Sequence, residues 1–304
     1  MKKIVIIGNS AAGFAAAKTL AENKGDFEIT VISRSNYSCY KKGLLIDYLG
    51  GKIQEKELFL APDKYYQDNS IKLLKNSEAV RIDVRRQNVV LKDKSRISYD
   101  FLIIASGERI KLPDIPGKAK EGVVTANSLE DVNKIKDLLL IASTICVIGQ
   151  GDLSLRLGQV LADKSKEVKI IGAANSPEAL NEKIELINDA VVREVIGESK
   201  EAQALKLNSG KAIGTNLIIF FGNPIAESDF LKDLDFQLEN GYIVVDDNLF
   251  TGKENIFACG SVAKKAAMPP MRKSWDEAVN EGVLVAQNII HILKEQENLA
   301  CQKP

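Results

Sequence analysis

Residues 3–13 read KIVIIGNSAAG, and this stretch decides the fold. Residues 3–7 (KIVII) are a continuous β-branched run, the pattern of a parallel strand buried on both faces. Gly8-Asn9-Ser10-Ala11-Ala12-Gly13 follows, and FAAAKTLAEN over residues 14–23 continues as a good helix. A second apolar run, residues 28–32, comes about 20 residues after the turn. Strand, small-residue turn, helix and strand are the context that a dinucleotide-binding fingerprint requires. Gly8 permits the tight turn, small residues let the backbone approach a pyrophosphate, and Gly13 lets helix and strand pack closely. The helix N-terminus then offers N–H groups and the positive end of its dipole to the phosphates. Ser10 stands in place of the middle glycine and adds a hydroxymethyl group there. A purely structural turn can also be rich in Gly and Ala; the N-terminal position and the flanking strands favour a nucleotide.

The unit recurs at mid-chain. Residues 143–148 (STICVI) read as a strand, Gly149-Gln150-Gly151-Asp152-Leu153-Ser154 as a turn, residues 155–163 as a helix and 168–171 as the next strand. Two such units imply an α/β protein with two doubly wound, three-layer Rossmann-like domains. Between them, residues 53–68 read as helical or irregular, and 71–74, 79–82, 88–91 and 99–105 as strands. Leu112-Pro113-Asp114-Ile115-Pro116-Gly117 reads as a linker. After the second unit, 191–196, 202–207, 217–221, 241–246 and 256–258 read as strands, and a final helix runs from Trp275 to Glu295. Ser176-Pro177-Glu178 reads as a helix cap and first turn.

Composition narrows the function. The 304 residues are 45% hydrophobic and 27% charged, with Lys plus Arg (41) balancing Asp plus Glu (41). That balance argues against nucleic-acid binding. The longest apolar stretch, residues 138–149, is too short to span a bilayer, so no membrane contact is expected. The opening MKKIVIIGNSAAG has two lysines, but its apolar core of Ile4 to Ile7 is too short for a secretory leader. Cys39, Cys146, Cys259 and Cys301 lie far apart without a CxxC, which points to the cytoplasm and against a zinc site. The single histidine, His291, leaves little of histidine-dependent catalysis available, so any chemistry falls to a cofactor.

The order of motifs resembles the pyridine nucleotide-disulfide oxidoreductase superfamily, in the branch of rubredoxin reductases, NADH oxidases and ferredoxin reductases. The matching stretches are IVIIGNSAAG, YKKGLLIDYLGGKI, YDFLIIASG, LPDIPG, ICVIGQG, GYIVVDDNLFTGKENIFACGS and KSWDEAVNEGVLVAQNII. The resemblance implies that residues 1–111 and 242–304 form an FAD-binding domain and that 112–241 form an inserted NAD(P)-binding-like domain. It sets the FAD pyrophosphate against Gly8, Ser10, Ala11 and Gly13, and Ala79 near the adenine. Ala105, Ser106 and Gly107 would lie along the dinucleotide, and Gly260 and Ser261 near the ribityl chain. Trp275 would flank the flavin. Lys42, where the family carries an arginine or a redox cysteine, would stabilise the anionic reduced flavin by Coulomb attraction. Cys39 then reads as a bystander, with a redox thiol as the alternative reading.

Departures from the family matter equally. Ser33 and Arg34 stand where a strand-end carboxylate usually holds the FAD ribose; a serine accepts one hydrogen bond and an arginine can stack on adenine. Ser261 replaces the usual aspartate. In the second unit, Gly149 and Gly151 are present, but Ser154 replaces the third glycine and would crowd helix against strand. Arg156 replaces a glutamate, and residues 172–175 (GAAN) hold no acid for an NAD ribose. The family's C-terminal interface domain is not matched, so a partner would dock differently, with a hetero-oligomer expected. Three functions fit. The first is an FAD-dependent electron-transfer flavoprotein working with a small redox protein or iron–sulfur subunit. The second is an ordinary NADH-dependent reductase, and the third a non-catalytic nucleotide-binding subunit of a larger complex.

Overall fold

The computed structural model describes residues 1–301 apart from 165, 173–179, 223, 233, 267 and 270–272. The opening strand β1 (Lys2–Ile7), the helix α1 (Ala11–Asn23) and the strand β2 (Phe27–Ile32) fall where the sequence places them. β1 pairs in parallel with β2, Ile4 opposite Ile29 and Ile7 opposite Ile32. On its other side it pairs in parallel with Phe101–Ile104. Ile256–Ala258 and Ile71–Leu74 extend the sheet at its two edges, making five parallel strands. Ile4, Val5 and Ile6 are buried, as a strand covered on both faces must be. α1 buries Ala11, Ala12, Ala16, Ala17 and Leu20, a face of mostly methyl groups. That smooth face admits the C-terminal helix Trp275–Cys301 at backbone distance.

A second five-stranded parallel sheet runs in the order Ile184–Ile187, Glu167–Ile171, Thr144–Ile148, Leu217–Phe220, Val123–Thr125. The α/β class with two parallel sheets therefore agrees with the sequence reading. A three-stranded antiparallel sheet (Val192–Ile196, Ala204–Leu207, Ala212–Gly214) accompanies it.

The chain divides into two compact units, one of residues 1–41, 59–108 and 225–304, the other of 42–58 and 109–224. The chain thus re-enters the first unit at Ile225 rather than at 242. Ala226, Leu231 and Phe236 explain this, because they are buried in the same core as Ile6, Leu102 and Ile243. Residues 42–58 belong to the second unit: the Tyr48 hydroxyl lies 2.9 Å from both the Glu55 carboxylate and the Asn133 amide oxygen.

Two elements escape the sequence reading and a third runs longer than it. Residues 129–138 form a helix with Ser128 as N-cap, its hydroxyl accepting from the Asp131 N–H at 3.1 Å. Ile184–Ile187 is an edge strand whose charged neighbours Glu182, Lys183 and Glu185 disguise it. The C-terminal helix runs to Cys301. The cap read at 176–178 and the GAAN stretch from 173 onward lie outside the described residues.

Candidate cofactor site

The turn after β1 is held by contacts that leave no room for a side chain. Gly8 has a φ of 110°, and a Cβ there would lie 2.1 Å from the Ala105 carbonyl oxygen. A Cβ on Gly13 would lie 2.0 Å from the Gly8 carbonyl oxygen. Glycine alone satisfies both positions. The Gly8 N–H donates to the Ile32 carbonyl at 2.8 Å, tying the turn to β2. Ser10 is the N-cap of α1 in extended conformation, its side chain makes no capping bond, and the first helical turn carries no acid. The positive end of the α1 dipole is therefore uncompensated by this helix's own side chains.

Asn9 adds an observation that the sequence reading missed. Its Oδ1 accepts from the Tyr66 hydroxyl at 3.0 Å, and that hydroxyl accepts from the Cys39 N–H at 3.2 Å. Burial pushes the Tyr66 phenol well above its ordinary range, so it remains a donor to Asn9. With Oδ1 fixed, Nδ2 is buried without a partner. A buried orphan donor costs about 1–3 kcal/mol. An anionic oxygen at the Gly8 turn would satisfy it. The glycine-tight turn, the open helix end and the orphan amide fit a dinucleotide pyrophosphate.

Of the other expected residues of the first unit, Ala105 and Gly260 meet this turn and its helix directly. Ala105 abuts Gly8, and a Cβ on Gly260 would lie 2.9 Å from the Ala12 Cβ. The Gly260 N–H donates to Glu281 at 2.7 Å, and Ser261 follows in the same short 3-10 turn. Trp275 opens the C-terminal helix, half-buried against the first core. The Ser77 N–H donates to the Ser33 carbonyl at 2.8 Å, which brings the strand Ala79–Asp83 beside the end of β2. Ser33 is buried, with its hydroxyl 3.4 Å from the Ser35 carbonyl. Arg34 forks onto the Glu227 carboxylate at 3.0 and 3.2 Å, a pairing through the guanidinium edge. Glu227 is in turn held by Ser106 and Gly107, the Ser106 hydroxyl donating to its carbonyl at 2.6 Å and its own N–H donating to the Gly107 carbonyl at 2.9 Å. Nothing in local sequence could reveal Glu227, which lies 193 residues from Arg34.

In the second unit, Gly151 is the N-cap of the helix Asp152–Asp163, with a φ of 77°. Ser154 does not crowd the helix. It is buried, its hydroxyl donating toward the Gln150 and Phe221 carbonyls at 3.2 and 3.3 Å. The serine fits because its hydroxyl joins these two carbonyls. Asp152 lies in the first helical turn and offers a like charge to any phosphate there. Arg156 pairs with Asp47 at 2.6 Å. Lys42 is exposed at the start of the 3-10 turn Lys42–Leu44. Cys39, Cys146 and Cys259 are buried and form no disulfide with one another. His291 is exposed and stands 3.2 Å from Glu295.

A model of the pyridine nucleotide-disulphide oxidoreductase family matches residues 2–282. The chain belongs to this family. It is an FAD-dependent oxidoreductase. The rubredoxin-NAD(+) reductase of Ectopseudomonas oleovorans is 28% identical over 276 residues, which cover 86% of this chain and 71% of that protein. The structure of the NADH:rubredoxin oxidoreductase of Clostridium acetobutylicum aligns with a TM-score of 0.77 at 25% identity, over 94% of this chain and 74% of that one. The ferredoxin reductase of the CYP199A2 system from Rhodopseudomonas palustris shares the fold, with a TM-score of 0.84 at 22% identity over 95% and 76% of the two chains. Among the described residues, no helix is long and apolar enough to cross a membrane.

Proposed function

We propose that this oxidoreductase holds FAD in its first unit and exchanges electrons with a small redox protein or an iron–sulfur subunit, while its second unit takes nicotinamide nucleotide weakly. The carrying observation is the contrast between two helix starts. α1 opens with no acid beside an orphan amide donor, whereas the helix Asp152–Asp163 opens on a carboxylate. The relatives named as rubredoxin and ferredoxin reductases support a small protein carrier. FAD, when bound, supplies hydride and single-electron chemistry. Gly8, Ser10, Ala11 and Gly13 bind its pyrophosphate, with Asn9 donating from Nδ2. Ser33, Ala79, Ala105, Ser106 and Gly107 would line the dinucleotide, and Gly260, Ser261 and Trp275 would take the flavin end. Arg34 enters through its pair with Glu227, which bridges the end of β2 to Ser106 and Gly107. The buried thiols of Cys39, Cys146 and Cys259, none of them in a disulfide, support a cytoplasmic setting, and a carrier docked as a subunit gives a hetero-oligomer.

Anaerobic stopped-flow mixing tests the reading. Millimolar NADH or NADPH should bleach the flavin slowly and a strong low-potential donor quickly. Asp152→Asn should speed the NADH reaction about twofold to fivefold, the effect of one charge at a helix end. A second reading, the ordinary NADH-dependent reductase, is favoured by the undisturbed packing around Ser154. Rapid bleaching by micromolar NADH would establish it in place of the first. Absence of flavin absorbance from freshly purified protein would remove both.

A further inference from the structure

The Gly260–Ser261 turn carries a neutral serine, yet charge reaches it from the C-terminal helix. Glu281 accepts from the Gly260 N–H at 2.7 Å. Lys273 donates to the Gly260 carbonyl at 3.0 Å and to Glu281 at 2.7 Å. One acid and one base therefore take up both polar backbone groups of a single residue. The two side chains are only 16% and 18% exposed. Desolvation makes such a pair a poor source of stability, and an apolar pair of similar volume commonly serves as well. Its geometry is more informative. Gly282, the next residue, packs so closely on α1 that a Cβ there would lie 2.1 Å from the Ala12 carbonyl oxygen. The segment Glu281-Gly282 thus touches the Gly260 turn with one residue and the first turn of α1 with the next.

We propose that Lys273 and Glu281 are positioning residues for FAD, setting the Gly260–Ser261 turn in register with the N-terminal turn of α1. The inference rests on the FAD reading of the first unit. α1 supplies the rigid reference, Gly282 fixes the helix against it, and the ion pair transfers that position to Gly260. Because the protein satisfies the Gly260 backbone, the turn meets the cofactor through Ser261. Without the pair the turn would have to be ordered by FAD itself, and that ordering would be subtracted from affinity.

The test is titration of the apo-protein with FAD, read by quenching of flavin fluorescence, alongside thermal unfolding of the same apo-proteins. Glu281→Leu and Lys273→Met should each weaken FAD binding about tenfold or more, the effect of one lost charge-assisted hydrogen bond. Glu281→Gln should stay within about threefold of the parent, because its amide oxygen still accepts from Gly260. If Glu281→Leu does not fold, Lys273→Met carries the test. Unchanged FAD affinity in Lys273→Met, or lower melting temperatures in all three variants without a change in affinity, would overturn the proposal. Failure of the parent protein to bind FAD would instead overturn the reading of the whole site.

Discussion

At Ser154 a residue that departs from the expected glycine turns out to be bonded rather than obstructive. Its hydroxyl serves two carbonyls, so Ser154→Ala should cost about 1 kcal/mol of stability. The same substitution should leave the rate of flavin reduction by NADH unchanged. Chemical denaturation and stopped-flow on one preparation check both, and a faster reaction would show that the serine does obstruct the turn. Asn9 was legible as part of the turn, but its orphan donor was not. That state depends on Tyr66, far along the chain, occupying the other end of the amide.

For the elements, the contact between α1 and the C-terminal helix sets propensity against packing. In an isolated helix, Gly282→Ala would gain about 1 kcal/mol. Here the new methyl would meet the Ala12 carbonyl oxygen at 2.1 Å, and backbone cannot yield as a flexible side chain does. Overpacking costs about 1–3 kcal/mol. Gly282→Ala should therefore destabilise the apo-protein and weaken FAD binding together. Thermal unfolding and FAD titration would measure it, and a stabilised variant would show that the two helices separate readily. The elements themselves were legible where a period was clean. β1, β2 and Thr144–Ile148 are continuous apolar runs and fell where expected, while Ile184–Ile187 and the Ser128-capped helix did not stand out. Their charges face outward, and a short amphipathic element shows its buried side only once its neighbours are known.

For the molecule as a whole, stability at alkaline pH reports on the second core. Cys146 is buried in the central strand of its sheet, and burial pushes its thiol from an ordinary 9.0 up to about 11. A raised folded value means that the contribution is complete below pH 9 and is lost as pH climbs toward 11, where the unfolded chain releases a proton that the folded one keeps. The loss should be on the order of 2–3 kcal/mol. Chemical denaturation at pH 8 and pH 11 checks it, with Cys146→Ala expected to flatten that part of the pH dependence. An equal decline in Cys146→Ala would assign the effect to other groups, such as Tyr99 and Tyr242, both raised to about 12 by burial.

The sequence by itself determined the class of fold, the two strand–turn–helix units and the glycine positions of the first turn. Those are local matters, settled by hydrophobic period and by the room a backbone needs. Tertiary structure alone decided that the chain rejoins the first unit at Ile225, because Leu231 and Phe236 find their apolar neighbours there. It alone joined Arg34 to Glu227 and Lys273 with Glu281 to Gly260. A charge has no period, and its partner is chosen by distance in space; residues as far apart along the chain as Arg34 and Glu227, 193 positions, meet only when the sheets have formed.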